Sequence, residues 1–247
     1  MKIWAHRGCS KRYPENTVTA FSKALEVRGL TGIELDIQMT KDNEIVVIHD
    51  ERVDRTTDGI GYVKDFTYSQ LRALNIEMGS GHKEKIPSIN EVLDIMQDSM
   101  DEGLLLNIEL KNNKEYCWEM ETKILNLSRK KGLQNHVIYS SFCIKSLDIV
   151  RKLEPEAAMG MLDLKASDCL YKMKEICGAS INKNHIALHP NGKNIDLTKE
   201  QLEGRTVRAW FMESLYPEKA KEAKIHLVEL AAQGITDVFL NEPEVYC

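Results

Sequence analysis

Two short stretches carry carboxylates at a spacing that matters. In GIELDIQ (Gly32–Gln38), Ile33, Leu35 and Ile37 alternate with Glu34, Asp36 and Gln38. In LNIELK, Leu106, Ile108 and Leu110 alternate with Asn107, Glu109 and Lys111. Side chains in a strand point to opposite faces with a period of two, so each stretch sends its apolar residues one way and its charges the other. Glu34, Asp36 and Glu109 have no comparable cluster of Cys or His beside them, and an all-oxygen donor set suits one hard divalent cation, Mg2+ or Ca2+, rather than Zn2+. The competing reading is a structural network in which the same carboxylates pair with Arg7 and Lys111.

Histidines tip the balance toward chemistry. His6 closes one apolar run, Ile3–His6, and His49 closes another, Ile45–His49. A pair of imidazoles facing carboxylates is the apparatus of general acid and base catalysis. Arg7 and Lys111 add fixed positive charge suited to an anionic substrate such as a phosphate diester. Gly8 follows directly, where a residue without Cβ lets the backbone turn away closely.

Such residues need a frame that presents strand ends side by side. Short apolar runs at Ile3–His6, Ile33–Ile37, Ile45–His49, Leu104–Leu110, Val137–Ser140, Ala157–Leu162, Ile186–His189, Val207–Phe211 and Asp237–Leu240 alternate with amphipathic helical stretches. This is the pattern of parallel α/β architecture, and it predicts a somewhat irregular (β/α)8 TIM barrel. Nine strand candidates exceed eight, and the QMTKDNE between Ile37 and Ile45 is too short for a crossover helix. That step must be a hairpin or an irregular connection. Helix starts are expected at Asn16, as the cap of TVTAFSKALEVRG, and at capping boxes formed by Thr67 with Gln70 and Ser88 with Glu91. A further helix is expected in PEKAKEAKIHLVELAAQG, from a Pro start to a Gly stop. Residues 51–87, rich in Gly, Thr and charge, read as a small insertion after the third candidate strand. No linker or repeat divides residues 1–247, so one barrel domain is expected.

Composition narrows the class. The 247 residues are 43% hydrophobic and 29% charged, as in a chain that folds on its own. A net charge of -5 argues against a broad nucleic-acid surface. Six cysteines without C-x-x-C spacing, and no signal-like start, suggest reduced thiols in a cytoplasmic protein. No apolar run approaches the roughly 18 residues of a membrane span, so no stable membrane anchor is expected. Oligomeric state leaves no trace in the sequence.

The motifs AHRG, PENTVTAF, GIELDIQMTKDNEIVVIHDERVDRTTDGIG, IPSINEVLD and IELK, in this order over residues 5–111, resemble the glycerophosphodiester phosphodiesterase family. YSSF, LHP, VRAWF and GITDVFLNEP are similar to its later strands. The resemblance implies a TIM barrel that binds a divalent metal through Glu34, Asp36 and Glu109. It further implies His6 and His49 as general acid and base, with Arg7 and Lys111 on the phosphate. The expected reaction is metal-dependent hydrolysis of small glycerophosphodiesters to sn-glycerol 3-phosphate and an alcohol. The rival readings are a phospholipase-type relative acting on intact lipid and a non-catalytic barrel that binds anionic metabolites.

Secondary candidates follow. The Trp210 ring, and by the same reasoning that of Phe142, is a candidate contact for a cationic head group, against ordinary packing. Met212 and Glu213 stand where the family more often has a small or amide residue, which bears on the alcohol-side pocket. His189 is weighed as a mouth residue against a satisfied strand-end histidine, and Cys9 as a bystander near the site. TDGIG reads as a turn, since no Lys-Ser or Lys-Thr follows it.

Overall fold

The computed structural model describes residues 1–78, 83–112, 119–177, 186–211 and 225–247. The eight parallel strands of the expected TIM barrel are present. β1 (Lys2–His6) pairs with β2 (Gly32–Met39), and β2 pairs with β6 (Leu105–Leu110). The sheet continues through β7 (Val137–Ser141), β8 (Ala158–Asp163) and β9 (Ile186–Pro190). On its other side β1 pairs with β11 (Asp237–Leu240), which pairs with β10 (Arg208–Ala209). Isolated parallel bridges Leu188↔Val207 and Asn191↔Trp210 join β9 to β10 and bring the ring round.

The ninth candidate strand resolves as a hairpin. β3 (Ile45–Val47) runs antiparallel to β2, with Ile37 opposite Val47 and Met39 opposite Ile45. Asn43 supplies the left-handed turn residue at φ 63°. β3 is shorter than the expected Ile45–His49, because the chain leaves the ladder to deliver His49 from a loop. β10 is likewise shorter than Val207–Phe211.

Periodicity explains the packing. Ile33, Leu35, Ile37, Leu106, Ile108 and Leu110 all join the core between the strands and the surrounding helices. Those helices include α1 (Val18–Leu25), which buries Phe21, and α3 (Ile89–Asp101), which buries Leu93 and Met96. Further round, α4 (Met120–Lys130) and α5 (Ile144–Leu153) add Ile124 and Leu147. Both expected capping boxes form, on α2 (Tyr68–Ala73) and on α3. The first helix is corrected: Thr17, not Asn16, caps α1, its side chain accepting from the Ala20 amide. Asn16 instead sits at φ 58° and is used elsewhere. The late helix is described as α8 (Leu227–Ala232); the Pro start, like Met212 and Glu213, lies outside the described residues. The inserted segment, with the short antiparallel pair β4 (Ile76–Glu77) and β5 (Lys83–Glu84), has its own apolar cluster of Val53, Val63, Leu71, Ile76 and Ile86, seated on Val46 of β3. Cys9, Cys143, Cys169 and Cys247 are unpaired. Among the described residues, no helix is long and apolar enough to cross a membrane.

Inside the barrel the lower layer is polar. Arg208 lies over the Trp4 ring at 4.5 Å and donates from Nε to Asp237 Oδ1 at 3.1 Å. Trp4 Nε1 donates to the same oxygen at 2.9 Å. His189 Nε2 meets Arg208 Nη1 at 2.8 Å, and burial followed by this guanidinium holds the imidazole well below its usual range. His189 is therefore neutral and fully buried in the barrel interior, not at the mouth. Gly160 makes room for it: a Cβ there would stand 2.1 Å from the His189 ring. Gly160→Ala is expected to lower the free energy of unfolding by about 1–3 kcal/mol through overpacking. An unchanged urea midpoint would contradict this account.

Candidate active site

The charged residues read from the sequence converge at the carboxyl end of the barrel. Register does most of the work: His6 lies opposite Glu34, Glu34 opposite Asn107, and Asp36 opposite Glu109. One oxygen from each of Glu34, Asp36 and Glu109 falls within 4.8 Å of the others, and all three residues are buried.

Asp36 is the hinge of the cluster. Its Oδ2 lies 3.1 Å from Arg7 Nε and accepts a hydrogen bond from Asn16 Nδ2 at 2.9 Å. Its Oδ1 lies 3.1 Å from the Lys111 ammonium, which also donates to Glu109 Oε1 at 2.6 Å. Burial alone would raise the Asp36 pKa, but Lys111 and Arg7 outweigh it and hold the carboxyl well below the usual range. Glu34 and Glu109 go the other way. Burial, reinforced by the Asp36 charge, raises both, Glu109 to about 7 against the pull of Lys111. The site therefore has more carboxylate than its two cations neutralise, and its hard oxygen donors suit a hard dication such as Mg2+ or Ca2+. Asp36 Oδ1, though 3.1 Å from the Lys111 ammonium, accepts no well-aligned hydrogen bond and so keeps a lone pair for an ion.

The loop after β1 makes this geometry possible. Arg7 (φ 57°) and Gly8 (φ 81°) are successive left-handed residues, and a Cβ on Gly8 would stand 2.5 Å from the Ala20 backbone. The reversal points the Arg7 amide at Glu34, 3.1 Å from Oε2, and the guanidinium at Asp36.

Both histidines are present, with different partners. His6 Nδ1 donates to the Asn241 side-chain oxygen at 2.7 Å, and its Nε2 lies 3.8 Å from Glu34. Burial and then Arg7 push its pKa down to about 3. His49 Nδ1 faces Asp50 Oδ1 at 2.6 Å; burial, Lys111 and Arg7 lower it as well. Asp50 accepts from Arg55 Nε at 2.6 Å, Arg55 reaches Glu15 at 2.7 and 2.8 Å, and Glu15 accepts from Arg7 at 2.9 Å. Burial would raise Glu15, yet Arg7 and Arg55 hold it down to about 2. Asn16, Glu15, Asp50, Arg55 and Asn241 were not singled out from the sequence as site residues.

Above these groups lies a cavity of about 460 Å3, counted with its open mouth. His6, Arg7, Glu34, His49, Glu109 and Lys111 make the charged side. Phe142, Leu162, Trp210 and Phe239 make an apolar wall opposite. Trp210 and Phe142 meet edge to face at 5.8 Å, and Trp210 Nε1 is spent on the His189 carbonyl. Cys9 is buried away from the cavity, and burial first, then Glu244, raises its thiol to about 12. Neutralising single carboxylates separates their parts. In a chelating buffer, Asp36→Asn is expected to cost about 3–5 kcal/mol, because two buried cations lose their partner. Glu34→Gln removes a charge already disfavoured by burial and is expected to leave stability unchanged or higher, as read by thermal unfolding.

Comparison with known proteins agrees with this geometry. The chain matches the Glycerophosphoryl diester phosphodiesterase family over residues 6–186. A glycerophosphodiester phosphodiesterase of Caldanaerobacter subterraneus subsp. tengcongensis is 44% identical over 163 residues, 65% of this chain and 65% of that one. One from Bacillus altitudinis is 36% identical over 81% of this chain and 79% of its own length. Among solved structures, a phosphodiesterase of Oleispira antarctica, in complex with the product sn-glycerol-3-phosphate, superposes with a TM-score of 0.75 at 25% identity, covering 99% of this chain and 94% of that one. With the barrel, the motif order, the family match over residues 6–186 and a relative 36% identical over 81% of the chain in agreement, the chain belongs to the glycerophosphoryl diester phosphodiesterase family.

Proposed function

We propose that residues 1–247 act as one domain that hydrolyses small glycerophosphodiesters, such as glycerophosphocholine or glycerophosphoethanolamine, to sn-glycerol 3-phosphate and an alcohol in the cytoplasm. The observation that carries the reading is the placement of His6 and His49 beside the Glu34, Asp36 and Glu109 carboxylates and the cations Arg7 and Lys111. Glu34, Asp36 and Glu109 would hold one divalent cation, Mg2+ or Ca2+. Such an ion supplies charge neutralisation at the phosphate and lowers the pKa of a bound hydroxyl or water.

The chain's own residues have distinct work. Arg7 and Lys111 pair with the phosphate oxygens as charge grows on them. The two histidines differ in what stands behind them. His6 leans on a neutral amide oxygen, and burial with Arg7 next to it keeps the ring unprotonated. Its Nε2 lone pair is suited to take a proton from the attacking hydroxyl, either the substrate's own glycerol hydroxyl or a water. His49 leans on the Asp50 carboxylate, which favours its imidazolium against the lowering by burial, Lys111 and Arg7, so of the two rings it is the better suited to deliver a proton to the departing alcohol. When the substrate's hydroxyl attacks, a cyclic phosphate results, and the same histidines in exchanged roles open it with water. The aromatic wall of Phe142 and Trp210 accommodates the alcohol, including a cationic head group.

The test is release of sn-glycerol 3-phosphate from glycerophosphocholine, glycerophosphoethanolamine and glycerophosphoglycerol, first in EDTA and then with Mg2+ or Ca2+ restored. Metal-dependent release is expected, and His6→Ala or His49→Ala should each cost about a hundredfold or more in rate. Full activity of either variant would remove that histidine from the mechanism. No release with metal still bound would favour a lipid substrate or a binding role. Asn16→Ala, which strips the hydrogen bond from Asp36, is expected to weaken metal affinity by about 10- to 100-fold in a direct titration.

A further inference from the structure

Asn107 carries a polar atom that the mechanism leaves unused. It is 1% exposed, lies in register beside Glu34 on the cavity floor, and its side-chain oxygen has no hydrogen-bond partner. A buried acceptor left unpaired costs free energy, so such an atom calls for a donor. The other end of the same amide is committed: Nδ2 donates to Ser140 Oγ at 2.8 Å. Ser140 also lines the cavity, and among the described residues its hydroxyl has no other partner to receive its own proton. The pair therefore presents one free acceptor and one free donor, side by side.

Among the described residues, nothing fills that pair. The nearby cationic donors are directed to carboxylates, the Arg7 guanidinium to Asp36 and Glu15 and Lys111 to Asp36 and Glu109, and the Arg7 backbone amide is spent on Glu34. The Nδ1 atoms of His6 and His49 face Asn241 and Asp50. On the far wall, Leu162, Phe142 and Phe239 have no polar side-chain atom, and Trp210 Nε1 is bonded to the His189 carbonyl. In an organic ligand, the group that both gives and takes a hydrogen bond at one atom, and so can replace a water there, is a hydroxyl. The same bound molecule would place an anion near Arg7 and Lys111 and lay its carbon skeleton along the apolar wall. That combination describes a phosphate ester of a polyol.

We infer that Asn107 and Ser140 form a hydroxyl-reading subsite, which selects the polyol half of the substrate over alkyl phosphates of similar size. The inference rests on the phosphodiesterase reading only for where the phosphate sits. A site built to hydrogen-bond a hydroxyl discriminates against an analogue lacking it, because the buried polar atoms are then left unpaired.

The experiment is calorimetric titration of the full chain, in buffer containing Mg2+ or Ca2+, with sn-glycerol 3-phosphate and with propyl phosphate, which keeps the three-carbon skeleton without its hydroxyls. Wild type is expected to prefer glycerol 3-phosphate by about tenfold or more, the worth of one to two net hydrogen bonds. Ser140→Ala and Asn107→Leu should each bring the two affinities to within about threefold of one another, mainly by weakening glycerol 3-phosphate. Ser140→Ala is the smaller change and keeps the test valid if Asn107→Leu does not fold, which thermal unfolding reports. Equal wild-type affinities, a preference that survives both substitutions, or an equal loss of both ligands would each overturn the subsite. An intact preference without turnover of any glycerophosphodiester would instead overturn the catalytic reading and leave the subsite standing.

Discussion

The structure turns on one buried charge, Asp36, held between two cations. Its carboxylate faces Arg7 on one side and Lys111 on the other, with Asn16 closing a third direction. Removing an ion from water costs several kcal/mol even after relaxation, so none of the three charges is tolerable alone. Together they anchor the loop after β1, the end of β2 and the end of β6. Glu34 and Glu109 are then carried into the same space by strand register, where Lys111, already paired with Asp36, also reaches Glu109. Burial first, and then the Asp36 charge, raises both of their pKa values. The fold therefore maintains a place where added positive charge is favourable, which is the electrostatic requirement of a cation site that also receives a phosphate.

A second circuit ties this centre to the inserted segment. His49 leans on Asp50, Asp50 and Glu15 share Arg55, and Glu15 returns to Arg7. Arg55 comes from residues 51–87, whose small core of Val53, Val63, Leu71 and Ile76 sits against Val46. The insertion thus fixes the direction of an imidazole that no strand holds. β3 stops at Val47, two residues short of His49, so the ladder alone would not orient that ring.

How much of this could be read from the residues follows from what each signal depends on. Alternation in GIELDIQ and LNIELK is local, and it correctly separated the residues facing the helices from those facing the interior. Capping boxes are local too, and both formed. Asn16 was misassigned because asparagine is equally suited to a helix cap and to a left-handed residue, and only the fold decides between them. Its true partner, Asp36, lies twenty residues away. Asn241 is farther still, 235 residues from His6, yet barrel closure makes the ends of the first and last strands neighbours. That inference was open once a barrel was expected. Arg55 and Asp50 lay beyond pattern, since nothing in a loop's composition states which way its charges point. His189 read as a strand-end residue, but the absence of a side chain at Gly160 draws its ring into the interior.

The division of the molecule into two kinds of core has a physical consequence. Apolar burial is concentrated outside the barrel, between strands and helices, where Phe21, Leu93 and Met96 pack on β1, β2 and their neighbours. The interior holds a smaller apolar cluster of Trp4, Ile138, Leu162, Trp210 and Phe239 together with two polar layers: Arg208 with Asp237 and His189 below, and the carboxylate cluster above. Since hydrophobic burial scales with the area withdrawn from water, the outer shell supplies most of the folding free energy. The upper layer is free to hold excess negative charge that would unfold a barrel stabilised from within. The lower layer, in which Arg208 and Trp4 both donate to Asp237, closes the barrel beneath it. The aromatic wall lowers the effective dielectric on one side of the cavity, so that the charges of Arg7 and Lys111 act there with less screening.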